Sequence, residues 1–265
     1  MTLSGQSVWV LGYGFLGRVL ATLCRAAGAD VLSVDVSPST SPRLCADMAH
    51  RSAPSLAMQA GGGEPAVIFC CMATHGGSVE EYRRCYLQTI QVLGGAGLLA
   101  RCVFCSSSSL YGEANERSAI LADAESPVLA AGGCVARLVP LYGAGRCELL
   151  RRHLAGEARL PGPPERVLNY VHVEDAAAAL ILLAEKECRG IYDICGESFT
   201  KRWIYAELER ISRVPASSVD AAPGRRGMST RAVNSDALRA LGWVPRHKLA
   251  EMAAYPASDG AQGNW

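Results

Sequence analysis

Lysine is almost missing from this chain. Lys186, Lys201 and Lys248 are the only three among 26 basic residues, so chemistry that needs an ammonium group has few places to find one. An excess of either charge is missing too. The 26 basic residues face 25 acidic ones, for a net charge of +1, which argues against a nucleic-acid or anionic-membrane partner. No apolar run is long enough to span a bilayer. The opening Met1-Thr-Leu-Ser-Gly-Gln6 has neither the basic start nor the apolar stretch of a secretory signal, and a cytoplasmic location is expected. No internal repeat is visible.

Cysteine is plentiful, with eleven residues. Cys70, Cys71, Cys102, Cys105 and Cys134 all fall in expected strands, where a reduced thiol serves as a small buried hydrophobe. Cys102-Val-Phe-Cys105 has the spacing of a metal-binding pair. Residues three apart in a strand point to opposite faces, however, and no second ligand pair accompanies it, so no metal is expected.

The most informative stretch is Val8-Trp-Val-Leu-Gly-Tyr-Gly-Phe-Leu-Gly-Arg18. A short apolar strand, Val8 to Leu11, runs into Gly12-Tyr13-Gly14-Phe15-Leu16-Gly17. A helical pattern from Val19 to Ala27 comes next, closed by Gly28. In that context the three glycines carry a dinucleotide-binding reading. Gly12 permits a tight turn, Gly14 lets a diphosphate approach the backbone, and Gly17 lets the helix pack close to the strand. A second strand, Asp30 to Val34, ends in Asp35, roughly 20 residues on, where the ribose hydroxyls of the adenosine lie. A carboxylate there accepts two hydroxyls and repels a 2′-phosphate, which favours NAD over NADP.

Beyond Asp35 the chain alternates strands and helices, so a Rossmann-type α/β fold with a doubly wound parallel sheet is expected. Ser37-Pro-Ser-Thr-Ser-Pro42 reads as loop, Arg43 to Ala46 as a short strand, and His50 to Ala60 as a helix. Ala66 to Met72 is a continuous apolar run, hence a strand buried on both faces. Ser78 to Leu93 reads as a helix capped by Ser78, with Glu80 and Glu81 in its first turn. Arg101 to Cys105 is a strand, Glu113 to Pro127 polar loop, and Cys134 to Val139 a strand. Glu148 to Leu154 is helical. After the break at Pro161-Gly-Pro-Pro164, Val167 to Val173 is extended and Ala176 to Glu187 helical. Gly190 to Cys195 is a strand. Thr200 caps a helix over Lys201 to Ser212, and a short helix starts at Asn234 or Ser235. Residues 1–165 are expected to form the dinucleotide-binding domain. Residues 166–265 form a small C-terminal substrate lobe, with a strand and a helix returning to the core.

Several pieces, in order, now resemble one family. They are Gly12-x-Gly14-x-x-Gly17, Asp35, Asp47-Met48, Phe104-Cys-Ser-Ser-Ser-Ser-Leu-Tyr-Gly112, Arg137-Leu-Val-Pro-Leu-Tyr-Gly143, Asn169-Tyr-Val-His-Val-Glu-Asp175, Gly190-Ile-Tyr-Asp-Ile-Cys-Gly196 and Leu241-Gly-Trp243. The set is similar to the extended short-chain dehydrogenase/reductases, the NAD-dependent epimerases and dehydratases. The resemblance implies that Tyr13, Phe15 and Leu16 join the three glycines and Asp35 at the cofactor. It implies that Asp47 and Met48 flank the adenine, and that Ala73 lies under the cofactor at the end of the strand before it. Ser107 matches the family's hydroxyl donor to the reacting oxygen, with Ser108 as neighbour. Asn169 lies at the edge of the substrate lobe.

The departure is equally informative. The family's catalytic Tyr-x-x-x-Lys belongs on a helix roughly twenty residues after Tyr111, and Glu125 to Cys134 holds neither residue and reads as too short for that helix. Substitutes are Tyr111, Tyr142 and His75, the last with an ordinary pKa suited to proton transfer. Each has a plain structural reading as well: Tyr111 as part of the turn, Tyr142 as cleft lining, His75 as a loop cap. No cation is visible near Tyr111 to help it. His172 reads as a local hydrogen-bonding residue, and Glu174 and Asp175 as helix N-terminal acids. Arg137 and, better, Arg146 could meet an anionic group of the substrate. The expected activity is hydride transfer on a small metabolite by an atypical reductase or epimerase. The substrate would be sugar-nucleotide-like, or an imine or other activated double bond that needs little proton help. The alternative is a catalytically silent NAD-binding sensor or accessory protein. The family's dimers use helices flanking the catalytic region, and the shortness read there puts that dimer in question.

Overall fold

The computed structural model describes residues 1–74, 77–156, 160, 162–215 and 231–254. Seven strands form its central sheet: β1 (Ser7–Leu11), β2 (Asp30–Asp35), β3 (Leu44–Cys45), β4 (Val67–Cys70), β5 (Cys102–Ser107), β6 (Cys134–Leu138) and β9 (Gly190–Ile194). They lie in the order β3-β2-β1-β4-β5-β6-β9, with every pair parallel. Three short strands, β7 (Leu141–Tyr142), β8 (Val167–His172) and β10 (Glu197–Thr200), form a second sheet in the order β10-β8-β7.

Side-chain alternation along the strands builds the two faces of the main sheet. Val8 and Val10 of β1 pack with Phe69, Val103 and Ala136 under helices α1 (Phe15–Ala26) and α7 (Val173–Glu185). Trp9 and Leu11 point the other way and pack with Leu32, Ile68, Phe104 and Val135. That face is covered by α2 (Ala53–Gly61), α3 (Val79–Arg83), α4 (Thr89–Gly95) and α5 (Glu116–Ala130). The same alternation separates the two cysteines of the metal-like pair. Cys102 joins the second face and Cys105 the first, where its Sγ lies 3.6 Å from that of Cys71.

Around the second sheet, Tyr142, Leu150, Ile204, Leu208, Leu249 and Met252 form a smaller core with α6 (Glu148–Leu154) and α8 (Lys201–Ser212). The short α9 (Asp236–Ala240) comes later in the chain, and its Leu238 packs into the core of the first face. Among the described residues no helix is long and apolar enough to cross a membrane.

Two helix ends arise from local chemistry. Thr200 Oγ1 accepts from the Trp203 N–H and starts α8. Ser78 and Glu81 close a capping box at α3. Between α3 and α4, Arg84–Gln88 form a π-turn, so the long helix expected over this stretch is interrupted. Tyr86 in that turn packs edge-on against Phe104, at 6.4 Å between centroids, and Arg117 stacks over Tyr82 at 5.4 Å.

Three expectations are corrected. The stretch read as polar loop from Glu113 to Pro127 is largely α5, a 15-residue helix that continues to Ala130. Asn115 caps it through the Ser118 N–H, and Pro127 sits inside it. The segment is therefore not short of a helix, and the doubt cast on the family dimer loses its premise. Second, β7 and β10 were not expected, and β10 runs antiparallel to β8, so not every strand is parallel. Third, α1 begins at Phe15, four residues before the expected start, directly on the glycine loop.

The C-terminal segment is clasped to α7. The carboxylate of Asp175 accepts the backbone N–H groups of Arg246 and His247, both at 2.9 Å, and its carbonyl accepts Trp243 Nε1 at 3.0 Å. The ring of His247 stacks on that of His172 at 3.8 Å. Nitrogens of these two rings and a Glu174 oxygen lie within 4.8 Å of one another. The two stacked rings cannot both direct an in-plane lone pair at one ion. Burial, followed by the neighbouring His247, pushes the His172 pKa down, against smaller pulls upward from Glu174, Asp175 and Glu251. The folded protein therefore favours the neutral ring while the unfolded chain protonates first. Stability from this residue is full above about pH 6.5 and is lost as the pH falls below that value. The melting midpoint is expected to drop between about pH 7.5 and 5.5, a window that brackets the ordinary histidine pKa, and His172→Gln should flatten the drop. An equal slope in the variant would show that His172 is not the sensor.

Candidate functional site

The strand order reverses at β1 and β4, and in open α/β sheets ligands bind at the carboxyl ends of the strands flanking such a point. The glycine loop lies there. Gly12 has φ +89°, and a Cβ on it would come within 2.6 Å of the Met72 nitrogen and 2.7 Å of the Cys71 carbonyl. A Cβ on Gly17 would lie 1.9 Å from the Gly12 oxygen. Gly14, by contrast, would meet nothing within 4 Å. Two glycines are thus fixed by the chain's own backbone, while the third faces open space at the start of α1. That is the pattern a diphosphate-binding loop needs. The first turn of α1 carries no acidic residue and no side-chain cap, which leaves its N–H groups and dipole to an anion. Leu16 is buried in the core and can serve a ligand only through its backbone.

Asp35 ends β2 beside this loop. Its Oδ2 accepts the Tyr13 N–H at 2.7 Å and its Oδ1 the Ser37 N–H at 2.9 Å. Each carboxylate oxygen holds one backbone donor and retains capacity for a second, as ribose hydroxyls require. Arg43, the nearest basic residue in sequence, is turned away. It pairs with Asp30 at 2.8 Å and donates to the Ala60 carbonyl at 3.2 Å. Asp47 accepts the Ala49 N–H at 2.9 Å and pairs with Arg84. Met48 is buried among Trp9, Leu32 and Val34, and Ala73 is exposed just past β4.

At the end of β5, Ser107 Oγ accepts the Ser109 N–H at 3.1 Å and starts the 3₁₀ turn Ser108–Tyr111. Ser108 is half-buried at the head of that turn. The Tyr111 hydroxyl lies 2.8 Å from both oxygens of Asp193 and accepts Arg137 Nη1 at 3.1 Å. Arg137 in turn holds Glu125 of α5 in a two-pronged pair, at 3.0 and 2.7 Å. The Tyr111 ring is flanked by two guanidinium groups, Arg137 at 5.1 Å and Arg231 at 5.8 Å. Sheet register builds this arrangement, because Ser106, Arg137 and Asp193 are in-register partners on β5, β6 and β9. Burial raises the Tyr111 phenol above its ordinary value, although the bond from Arg137 opposes the rise. Burial likewise raises the Asp193 carboxyl, against the bond from Tyr111 and the charges of Arg137 and Arg231.

The other candidates lie elsewhere. Tyr142 is buried in the core of the second sheet, edge-on to His172 at 5.2 Å. Asn169 pins the C-terminal segment: its Oδ1 accepts Ser198 Oγ at 2.6 Å and the Val233 N–H at 3.0 Å, and its Nδ2 donates to the Arg231 carbonyl at 3.1 Å. Arg146 stacks over Phe15 at 5.1 Å. His75 lies outside the described residues. Sequence reasoning missed Asp193 and Glu125 altogether, and it missed the cation beside Tyr111. The available signal was Arg137 itself, a charge in the middle of an otherwise apolar strand, which needs a buried partner.

The chain matches no family model and no curated protein sequence. Among solved structures it is similar to MoeE5 in complex with UDP-glucose and NAD, at 24% identity and a TM-score of 0.74, covering 94% of this chain and 96% of that one. It is similar to the Thermus thermophilus UDP-glucose 4-epimerase complex with NAD, at 20% identity and a TM-score of 0.75, covering 93% and 96%. It is also similar to the Bordetella bronchiseptica enzyme WbmG in complex with NAD and UDP, at 14% identity and a TM-score of 0.78, covering 95% and 92%. At these identities the likeness establishes the fold, a Rossmann-type α/β architecture shared over nearly the whole length of each chain.

Proposed function

We propose that this chain is an NAD-dependent oxidoreductase or epimerase acting on a nucleotide-linked sugar or a similar small metabolite. The carrying observation is the glycine loop, closed by backbone at Gly12 and Gly17 and open at Gly14, beside Asp35 at the end of β2. The solved structures of the same fold that hold NAD, one with UDP-glucose and one with UDP as well, support the reading. Gly12 to Gly17 would hold the diphosphate and Asp35 the adenosine ribose, with Tyr13, Phe15, Asp47, Met48 and Ala73 around them. Bound there, the nicotinamide supplies the hydride acceptor.

The proton needs another route, because α5 carries neither tyrosine nor lysine. Ser107 donates to the reacting oxygen. The Tyr111 oxygen takes the substrate's hydroxyl proton, and its own proton passes to Asp193. Arg137 fixes the phenol from one side and Glu125 fixes Arg137. Asp193 is the better terminal base for having its pKa raised by burial. Reversal of the same path returns the proton.

With UDP-glucose as probe, Tyr111→Phe is expected to lower turnover about 10²–10⁴-fold while NADH binding and folding persist. Asp193→Asn should remove the acid limb of the pH–rate profile. Unchanged turnover in Tyr111→Phe would sink this route. A second reading, a silent NAD-binding sensor or accessory protein, is favoured by the same bare α5; under it, NADH binds and no sugar nucleotide is converted.

A further inference from the structure

We infer that Arg146 is a cofactor residue, one that grips the diphosphate of the dinucleotide beside the glycine loop. The inference rests on the NAD reading above. Arg146 closes a tight turn that begins at Gly143, whose N–H donates to the Arg146 carbonyl at 3.2 Å and whose carbonyl accepts the Arg146 N–H at 3.0 Å. The turn is wedged in place, because a Cβ on Gly143 would lie 2.8 Å from Val173 Cγ1 and 3.0 Å from His172 Nε2. From this fixed base the guanidinium reaches the ring of Phe15, 5.1 Å away. Phe15 is the first residue of α1 and directly succeeds Gly14, the loop glycine that faces open space.

A guanidinium held over an aromatic face keeps the planar fork of N–H groups that suits phosphate oxygens. Its charge is partly withdrawn from water, since burial pulls the Arg146 pKa down and only Glu148 opposes this. A half-buried cation is well placed to attract an anion. No acidic residue in the first turn of α1 competes for it.

The location favours the cofactor's diphosphate over that of a substrate. Phe15 starts α1 just after β1, whereas Ser107 ends β5, two strands away in the sheet. At the usual spacing of adjacent strands, that separation is about 10 Å. Arg146 also lies on the turn that leads into α6 of the smaller core, so its grip would tie that unit to the loaded cofactor.

Calorimetry on the full-length protein tests this with three probes: ADP-ribose, adenosine and UDP. Arg146→Ala is expected to weaken ADP-ribose at least tenfold and leave adenosine unchanged. Arg146→Lys, which keeps the charge but not the fork, should fall between. Phe15→Leu, which removes the shelf and keeps the arginine, should also weaken ADP-ribose. Wild-type affinity for ADP-ribose in a folded Arg146→Ala protein would overturn the inference. So would a loss confined to UDP, which would give Arg146 to a substrate's diphosphate. If the wild-type protein itself bound neither NADH nor ADP-ribose, the NAD reading would fall first and this inference with it.

Discussion

Gly17→Ala is expected to lose both the fold around the loop and the binding of NADH, whereas Gly14→Ala loses binding alone. A methyl group on Gly17 would stand 1.9 Å from the Gly12 carbonyl oxygen, so α1 must move off β1. That movement pulls Leu16, Leu20 and Ala21 from the core they share with Val8 and Val10, a loss of several kcal/mol by the scale of core disruption. A methyl on Gly14 touches nothing, and its φ of −85° lies outside the left-handed region that favours glycine. The protein should melt as the wild type does. Its methyl fills the space a diphosphate would enter, however, and the lost charge-assisted hydrogen bonds should raise the NADH dissociation constant about 10–100-fold. Melting curves and calorimetry on the two variants decide the matter. Two variants that fail alike would mean that the loop is a structural turn and not a binding loop.

The second large effect is expected at Glu125. Its side chain is 4% exposed and that of its partner Arg137 is 17% exposed, so the pair lies inside the protein. Removing one partner leaves the other charge buried and uncompensated, which costs about 3–5 kcal/mol. Glu125→Ala should therefore lower the melting midpoint by roughly 10 °C. The double variant Glu125→Leu, Arg137→Met replaces both charges with apolar groups of similar size and should recover most of that stability. It should not recover turnover, because Tyr111 loses its Arg137 bond in the double variant too. Urea unfolding and UDP-glucose turnover, measured on the same proteins, separate the two roles. Recovery of turnover along with stability would make the pair purely structural.

What the sequence made legible was set by how local each constraint is. Gly12, Gly14 and Gly17 act within a single turn, and their different reasons for being glycine can be read from spacing alone. Thr200 caps its own helix, and α8 begins and ends at the residues expected of it. Gly190 to Cys195 and Cys134 to Val139 were readable as strands because β6 and β9 are mostly apolar. The helix α5 was not readable. Its buried stripe runs Ile120, Leu121, Ala124, Glu125 and Val128, and it places a carboxylate at a core position. Only Arg137, twelve residues on and in another element, makes that position tolerable. Pro127 inside the same helix adds a second misleading sign. The cation beside Tyr111 escaped for a similar reason. It lies 26 residues away in sequence and reaches the phenol only through the pairing of β5 with β6. Asp193 is further still, 82 residues from the tyrosine it accepts from.

The π-turn at Arg84–Gln88 makes chain length, rather than side-chain identity, the variable on this face of the sheet. A π-turn holds one residue more than the α-turn it replaces. Each residue in a helix rotates the segment on its N-terminal side by about 100° relative to the segment on its C-terminal side. Ile90 and Leu93 of α4 are held fast in the core. A chain one residue shorter between Arg84 and Gln88 would thus keep α4 in place and swing α3 by about a quarter of a circle. Tyr82 would leave Arg117. Substitutions at these positions can only change what the helix presents; a single deletion would change where it points.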